Sequence, residues 1–130
     1  MKRFLAALLL CAILLSLSAC SMVLTLPTDE VTLVYHTDYA DFEVTLEEKE
    51  ARMVRSILNG NISVFNSGYA GCGYGKSVSI RVGIQQFGMA RDGCQGFKNL
   101  VTLHEFEVSE EGWEYIVSLF EKYGGRFPCV

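Results

Sequence analysis

Basic residues are scarce in this chain and do not gather: 11 Lys and Arg stand against 15 Asp and Glu, for a formal net charge of −4. Without a cationic patch there is no electrostatic grip on nucleic acid or on anionic lipid. Long apolar runs are missing as well. The most apolar stretch, residues 4–15, holds 12 residues, whereas a bilayer span takes about 20. Histidine is limited to His36 and His104. With Asp38 they are the candidate metal ligands, but no H-x-H or H-x-x-x-H spacing sets two imidazoles on one ion, and a hydrogen-bonded structural role is the expectation for each. No G-x-S-x-G elbow is present to raise a nucleophilic serine. The carboxylate pairs Glu47-Glu48 and Glu110-Glu111 open predicted helices, where the positive end of the macrodipole explains them without acid–base chemistry. Residues 70–77, Ala-Gly-Cys-Gly-Tyr-Gly-Lys-Ser, come close to a phosphate-binding loop. They lack its first glycine and run into an alternating strand, not the helix whose N–H groups would meet phosphate.

What the chain does have begins at its N-terminus. Lys2 and Arg3 precede the short apolar run, and Leu17-Ser18-Ala19-Cys20 follows it. A basic start, an apolar stretch and small residues at a cleavage point make a secretory signal. The last four residues resemble the lipobox of bacterial lipoprotein precursors. That resemblance implies removal of residues 1–19 and a lipidated Cys20 as the mature N-terminus, carrying the two or three acyl chains that durable anchoring requires. Residues 20–30 would form a tether, broken by Pro27 and Thr28, and residues 31–130 a single domain. The mature chain has 111 residues and, with Lys2 and Arg3 gone, a net charge of −6. Eight Phe, six Tyr and one Trp suffice for a core.

Export sets the cysteine chemistry. Cys11 leaves with the signal and Cys20 is acylated, so Cys72, Cys94 and Cys129 remain in an oxidising compartment. Residues 77–82 alternate as a strand, and residues 85–90 can return beside them with Gly83 at the bend. A hairpin folded about Gly83 sets Cys72 opposite Cys94 at its open end. A bridge there would contribute about 3 kcal/mol in the chain-entropy model. Cys129 is then left free or available for an intermolecular bond.

Upstream, residues 31–35 and 42–46 read as strands, with Phe42, Val44 and Leu46 facing inward. Thr45 and Glu48 form a capping box for a helix with the apolar stripe Ala51, Val54, Ile57 and Leu58, an i,i+4 pair Glu48–Arg52 and a stop at Asn59-Gly60. Residues 100–108 read as the last strand. Ser109 caps a second helix with Trp113, Ile116, Val117 and Phe120 inward and Gly124-Gly125 after it. Phe42-Glu43-Val44-Thr45 and Phe106-Glu107-Val108-Ser109 echo each other ahead of the two helices. The expected fold class is α+β: a four- to five-stranded, mostly antiparallel sheet with two amphipathic helices on one face.

Several of these motifs together resemble a group of small exported domains from gut Firmicutes that have no assigned function. They are Thr45-Leu46-Glu47-Glu48-Lys49-Glu50 running to Ile57-Leu58-Asn59-Gly60, a Cys before an alternating strand, Asp92-Gly93-Cys94 with Phe97, and Ser109-Glu110-Glu111 opening a helix that ends Glu121-Lys122-Tyr123-Gly124. The resemblance spans residues 31–124. It implies the Cys72–Cys94 pairing and a Gram-positive-like envelope, brings no catalytic residues, and leaves Cys129 outside the pattern.

Tyrosines at strand ends and in loops, Tyr35, Tyr39, Tyr69 and Tyr74, are the candidate binding surface, since rigidly mounted tyrosines suit recognition of protein or carbohydrate. The expected function is that of a lipid-anchored, non-enzymatic binding module facing outward from the cell membrane. It would take no cofactor and no nucleic acid, and its partner would be a protein or glycan of the envelope or beyond. The alternative is a small envelope hydrolase or metal-binding protein.

Overall fold

A computed structural model of the chain describes residues 6–7, 25–60, 73–92 and 94–129. The signal and lipobox, including Cys20, thus lie outside the described residues apart from residues 6–7, as do Tyr69 and Cys72. No helix among the described residues is long and apolar enough to cross a membrane. The elements are β1 (Val31–His36), β2 (Asp41–Thr45), α1 (Glu48–Asn59), β3 (Val78–Val82), β4 (Gln85–Met89), β5 (Gly96–Asn99), β6 (Glu105–Glu107) and α2 (Glu110–Lys122).

The class is α+β, and the strands form one antiparallel sheet in the order β2-β1-β3-β4-β5-β6. Six strands stand among the described residues, where four or five were expected. The difference arises at residues 100–108, which do not run as one strand. Asn99 ends β5 and turns the chain: its side-chain carbonyl accepts from the N–H groups of Val101 (2.9 Å) and Thr102 (3.2 Å), and Leu103 takes a φ of 63°. Asparagine is a turn former through this local bonding. The apolar residues around it made the segment look like a strand. β2 and β6 are the sheet edges, carrying Asp41 and Glu43 on one and Glu105 and Glu107 on the other.

The β3–β4 hairpin forms, one residue out of the expected register. Ser79 opposes Gly88 and Val82 opposes Gln85, so the turn is the pair Gly83-Ile84 and is not centred on Gly83 alone. Gly83 has φ +56°, the left-handed value that the first central residue of a II′ turn requires. β4 ends at Met89, and Cys94 lies in the β4–β5 turn, where its N–H bonds the Asp92 carboxylate at 3.2 Å. The hairpin therefore does not itself carry Cys94 opposite Cys72, and the pairing falls outside the described residues.

Register sorts the strand side chains onto two faces. Leu33, Ile80 and Phe87 align across β1, β3 and β4, and Tyr35, Phe42 and Val78 align one step along. These join the helix residues Ala51, Val54, Leu58, Trp113, Ile116 and Phe120 in one core cluster. Val117, expected in the inward stripe, is only half-buried, while Leu119 is buried. Ser109 caps α2 by accepting from the N–H of Gly112 at 3.1 Å, as expected.

The start of α1 differs. Glu47 is its N-cap and makes no side-chain cap bond, while the Thr45 hydroxyl lies 3.2 Å from that of Thr32 across the sheet. Thr45 remains in β2, because Leu46 N–H still bonds Val31 C=O at 2.9 Å and the strand outcompetes the cap. Glu48 pairs more closely with Arg55 (2.7 Å) than with Arg52 (3.8 Å). Arg55 is buried, and its other nitrogen donates to the Asp29 carbonyl at 2.7 Å, fastening residues 25–30 to α1. At the far end of the helix Asn59 accepts from Thr25 N–H at 2.8 Å.

The second face of the sheet is partly covered. A Cβ on Gly88 would meet the Gly75 backbone at 3.1 Å, and one on Gly96 would strike the Tyr74 hydroxyl. The described part of the Gly-rich segment thus lies on this face. Ser79 holds it there by donating to the Lys76 carbonyl at 2.9 Å.

Candidate functional site

The sheet has two dissimilar ends, and polar side chains collect at the end that carries the β1–β2 turn. Thr37 N–H bonds Ala40 C=O at 3.0 Å, and Tyr39 N–H bonds the Thr37 hydroxyl at 3.1 Å. This turn pushes Tyr39 outward, leaving it 52% exposed. The Arg126 guanidinium lies over its ring, 5.8 Å from the centroid. A cleft of about 200 Å³ opens beside it, lined by Thr37, Asp38, Tyr39, Arg91 and Cys129.

The wall opposite Tyr39 is the C-terminal segment. Cys129 N–H bonds the Arg91 carbonyl at 2.8 Å, and the Arg91 guanidinium returns bonds of 2.8 and 3.2 Å to the Cys129 carbonyl. The Cys129 side chain is buried in the core cluster, so it does not offer a thiol for an intermolecular bond.

Tyr35 was expected on the binding surface and is not there. It is 0% exposed, stacked on Phe42 at 5.3 Å between centroids and flanked by Phe120 and Phe127. As the last core-facing residue of β1 it points inward by strand alternation. Its hydroxyl donates to the Arg126 carbonyl at 2.9 Å and accepts from the Arg126 N–H at 3.0 Å, which fixes the residue that covers Tyr39. Tyr35 thus supports the site from behind. Tyr74 is half-buried over Gly96 and packs against the core, and it does not line the cleft beside Tyr39.

Next to the turn, His36 ends β1 with both ring nitrogens occupied: Nδ1 bonds Asp41, and Nε2 lies 3.3 Å from Glu43. Glu43 also accepts from Arg81, which reaches across β1 from β3. Hydrogen bonding to Asp41, then to Glu43, raises the His36 pKa above its usual value, and hydrogen bonding from His36, then Arg81, lowers that of Glu43. The result is an exposed, charge-balanced network. His104 stands at the other end of the sheet, where its carbonyl accepts from Asn99 N–H at 2.8 Å and its ring stacks on Phe106. His36 and His104 therefore do not converge, and among the described residues no group of three or more His, Cys, Asp or Glu is placed to hold a metal ion.

The site sets an aromatic face under the Arg126 guanidinium and places Asp38 and Arg91 in the lining of the cleft beside it. Sequence reasoning found Tyr39 through its place in a polar turn. It missed Arg91 and Arg126, which lie 35 residues apart and meet Tyr39 only through the path of the C-terminal segment. The available signal was Phe127, an aromatic residue too large to trail in water, which implied that the chain end packs. Compared with known protein families, curated proteins and solved structures, the chain shows no significant match in any of the three.

Proposed function

We propose that this chain is a lipid-anchored cell-envelope protein whose domain binds a protein or glycan without catalysing a reaction. The lipobox Leu17-Ser18-Ala19-Cys20 supports the anchor. The observation that carries the binding assignment is Tyr39, exposed under the Arg126 guanidinium and beside a cleft walled by Arg91. Tyrosine and arginine dominate binding hot spots because they supply large area and directional polar groups at low ordering cost. The domain resembles exported domains of gut Firmicutes, in keeping with an outward-facing position.

The test is capture from membranes. Crosslinking of the full lipoprotein in cells, followed by pulldown, is expected to return one dominant protein or glycoconjugate. Tyr39→Ala, at an exposed position, should reduce that capture at least tenfold, equivalent to about 1.4 kcal/mol. Equal capture by both forms would remove the site, and an empty pulldown with wild type would remove the binding function.

A further inference from the structure

The end of the sheet opposite Tyr39 is apolar at its tips. The β3–β4 turn presents Ile84, 98% exposed, and the β5–β6 turn presents Val101 and Leu103, 66% and 68% exposed. These turns are neighbours: Asn99 donates to the Gln85 side chain at 3.0 Å, and Leu100 N–H bonds the Gln86 carbonyl at 2.8 Å. The N-terminal segment enters at the same end. Gly83 N–H bonds the Glu30 carbonyl at 3.1 Å, and the Asp29 carboxylate lies 2.8 Å from where a Cβ on Gly83 would sit. Leu26, 57% exposed, is tied to Asp29 through a turn bonded in both directions, at 2.8 and 3.1 Å. Four of the six large exposed apolar residues among those described therefore cluster around the point where the tether joins the domain.

Chain length limits what can cover this end. Five residue steps separate Cys20 from Thr25, and an extended chain spans at most about 3.6 Å per residue, so Thr25 lies within about 18 Å of an acylated Cys20. Thr25 is itself fastened to Asn59 and cannot drift from the domain. The tether thus delivers the apolar tips to the lipid headgroup layer. We infer that Leu26, Ile84, Val101 and Leu103 dock into the outer surface of the bilayer beside the lipid anchor, which fixes the domain upright with Tyr39 facing away from the membrane. The nearby charges are mixed: Asp29 and Glu30 stand in the entering segment, and Arg52 and Arg55 of α1, which line a pocket with Thr25 and Pro27, are both paired with Glu48, so no cationic excess faces this end. The attraction is therefore apolar and gains nothing from anionic lipid. This orientation rests on the lipid-anchor proposal.

The test uses the full lipidated protein in phosphatidylcholine vesicles, with the photoreactive residue p-benzoylphenylalanine replacing Ile84 in one form and Tyr39 in another. Both positions are exposed, so neither replacement disturbs the core. Mass spectrometry first establishes the acyl mass on Cys20. With it present, irradiation should join position 84 to lipid severalfold more than position 39, and adding phosphatidylglycerol should not raise the yield. An acylated chain whose position 84 takes no more lipid than position 39 overturns the orientation and leaves the anchor standing. Crosslinking of position 84 mainly to a second copy, or to another protein in native membranes, also overturns it in favour of that occupant. A chain without the acyl mass overturns the anchor and the orientation together.

Discussion

His36 shows how one residue can report on the state of the polar end. Its pKa is raised by bonds to Asp41 and Glu43, so its stabilising contribution is complete below its unfolded value of about 6.5 and is lost as pH rises through the higher folded value. Glu43, with its pKa lowered from 4.5, contributes above that value and loses its contribution as pH falls through the lower folded one. The network is thus fully charged in the window between these limits. His36→Asn should lower the melting temperature more at about pH 5.5 than at about pH 9. Thermal melts of both forms across that range check it; an equal difference at both ends would show that the imidazole charge is idle. The histidine could be named from sequence, but its network could not, because Asp41 and Glu43 meet it across the β1–β2 pair and Arg81, the other partner of Glu43, reaches over β1 from β3.

At the scale of elements, the two helices were legible because their apolar stripes and the Ser109 cap are local signals. Their contact was not. Gly112 lies in the first turn of α2, where a Cβ would come within 2.8 Å of Ile57 Cγ2 on α1 and 3.1 Å of the Ser109 hydroxyl. On an isolated helix Gly→Ala gains about 1 kcal/mol, but overpacking a tight contact costs about 1–3 kcal/mol. Gly112→Ala is expected to destabilise the domain by about 1 kcal/mol in a urea titration, and a stabilised variant would mean that the helices can part freely. The strands divide along the same line. β1, β2, β3 and β4 follow from alternation. The turn at Asn99 and the start of α1 were misjudged for different reasons: the first is a local asparagine turn set among apolar residues that read as strand, and the second is decided by a partner distant in sequence, Thr32 for Thr45.

For the whole molecule the cysteines give the sharpest chemical test. The buried Cys129 should resist alkylation in the native protein. We expect denaturation without reductant to release that thiol alone, with reduction adding Cys72 and Cys94 as their bridge opens. Peptide mapping of the alkylated protein measures this. Three thiols free before reduction would dismiss the bridge, and modification of native Cys129 would show that the C-terminal segment opens from Arg91. The sequence argument for the bridge relied on a continuous hairpin. The proposed bridge now rests on the proposed export to an oxidising compartment and on the motifs that resemble exported domains, because the β4–β5 turn removes Cys94 from the strand.

Under the proposed lipid anchor, the two edges of the sheet among the described residues bear on life at a surface. A lipid anchor confines many copies to a plane, where encounters between neighbours are far more frequent than in solution and an unpaired strand edge invites growth from copy to copy. Here one edge, β2, places Asp41 and Glu43 along its five residues, and the other, β6, is three residues long with Glu105 and Glu107 at its ends. Two neighbours approaching side by side would have to disturb the ion pairs that hold Glu43 to Arg81 and Glu105 to Lys98, and at β6 would gain only three residues of strand in return. A crowded patch of this protein should remain a two-dimensional fluid of separate domains.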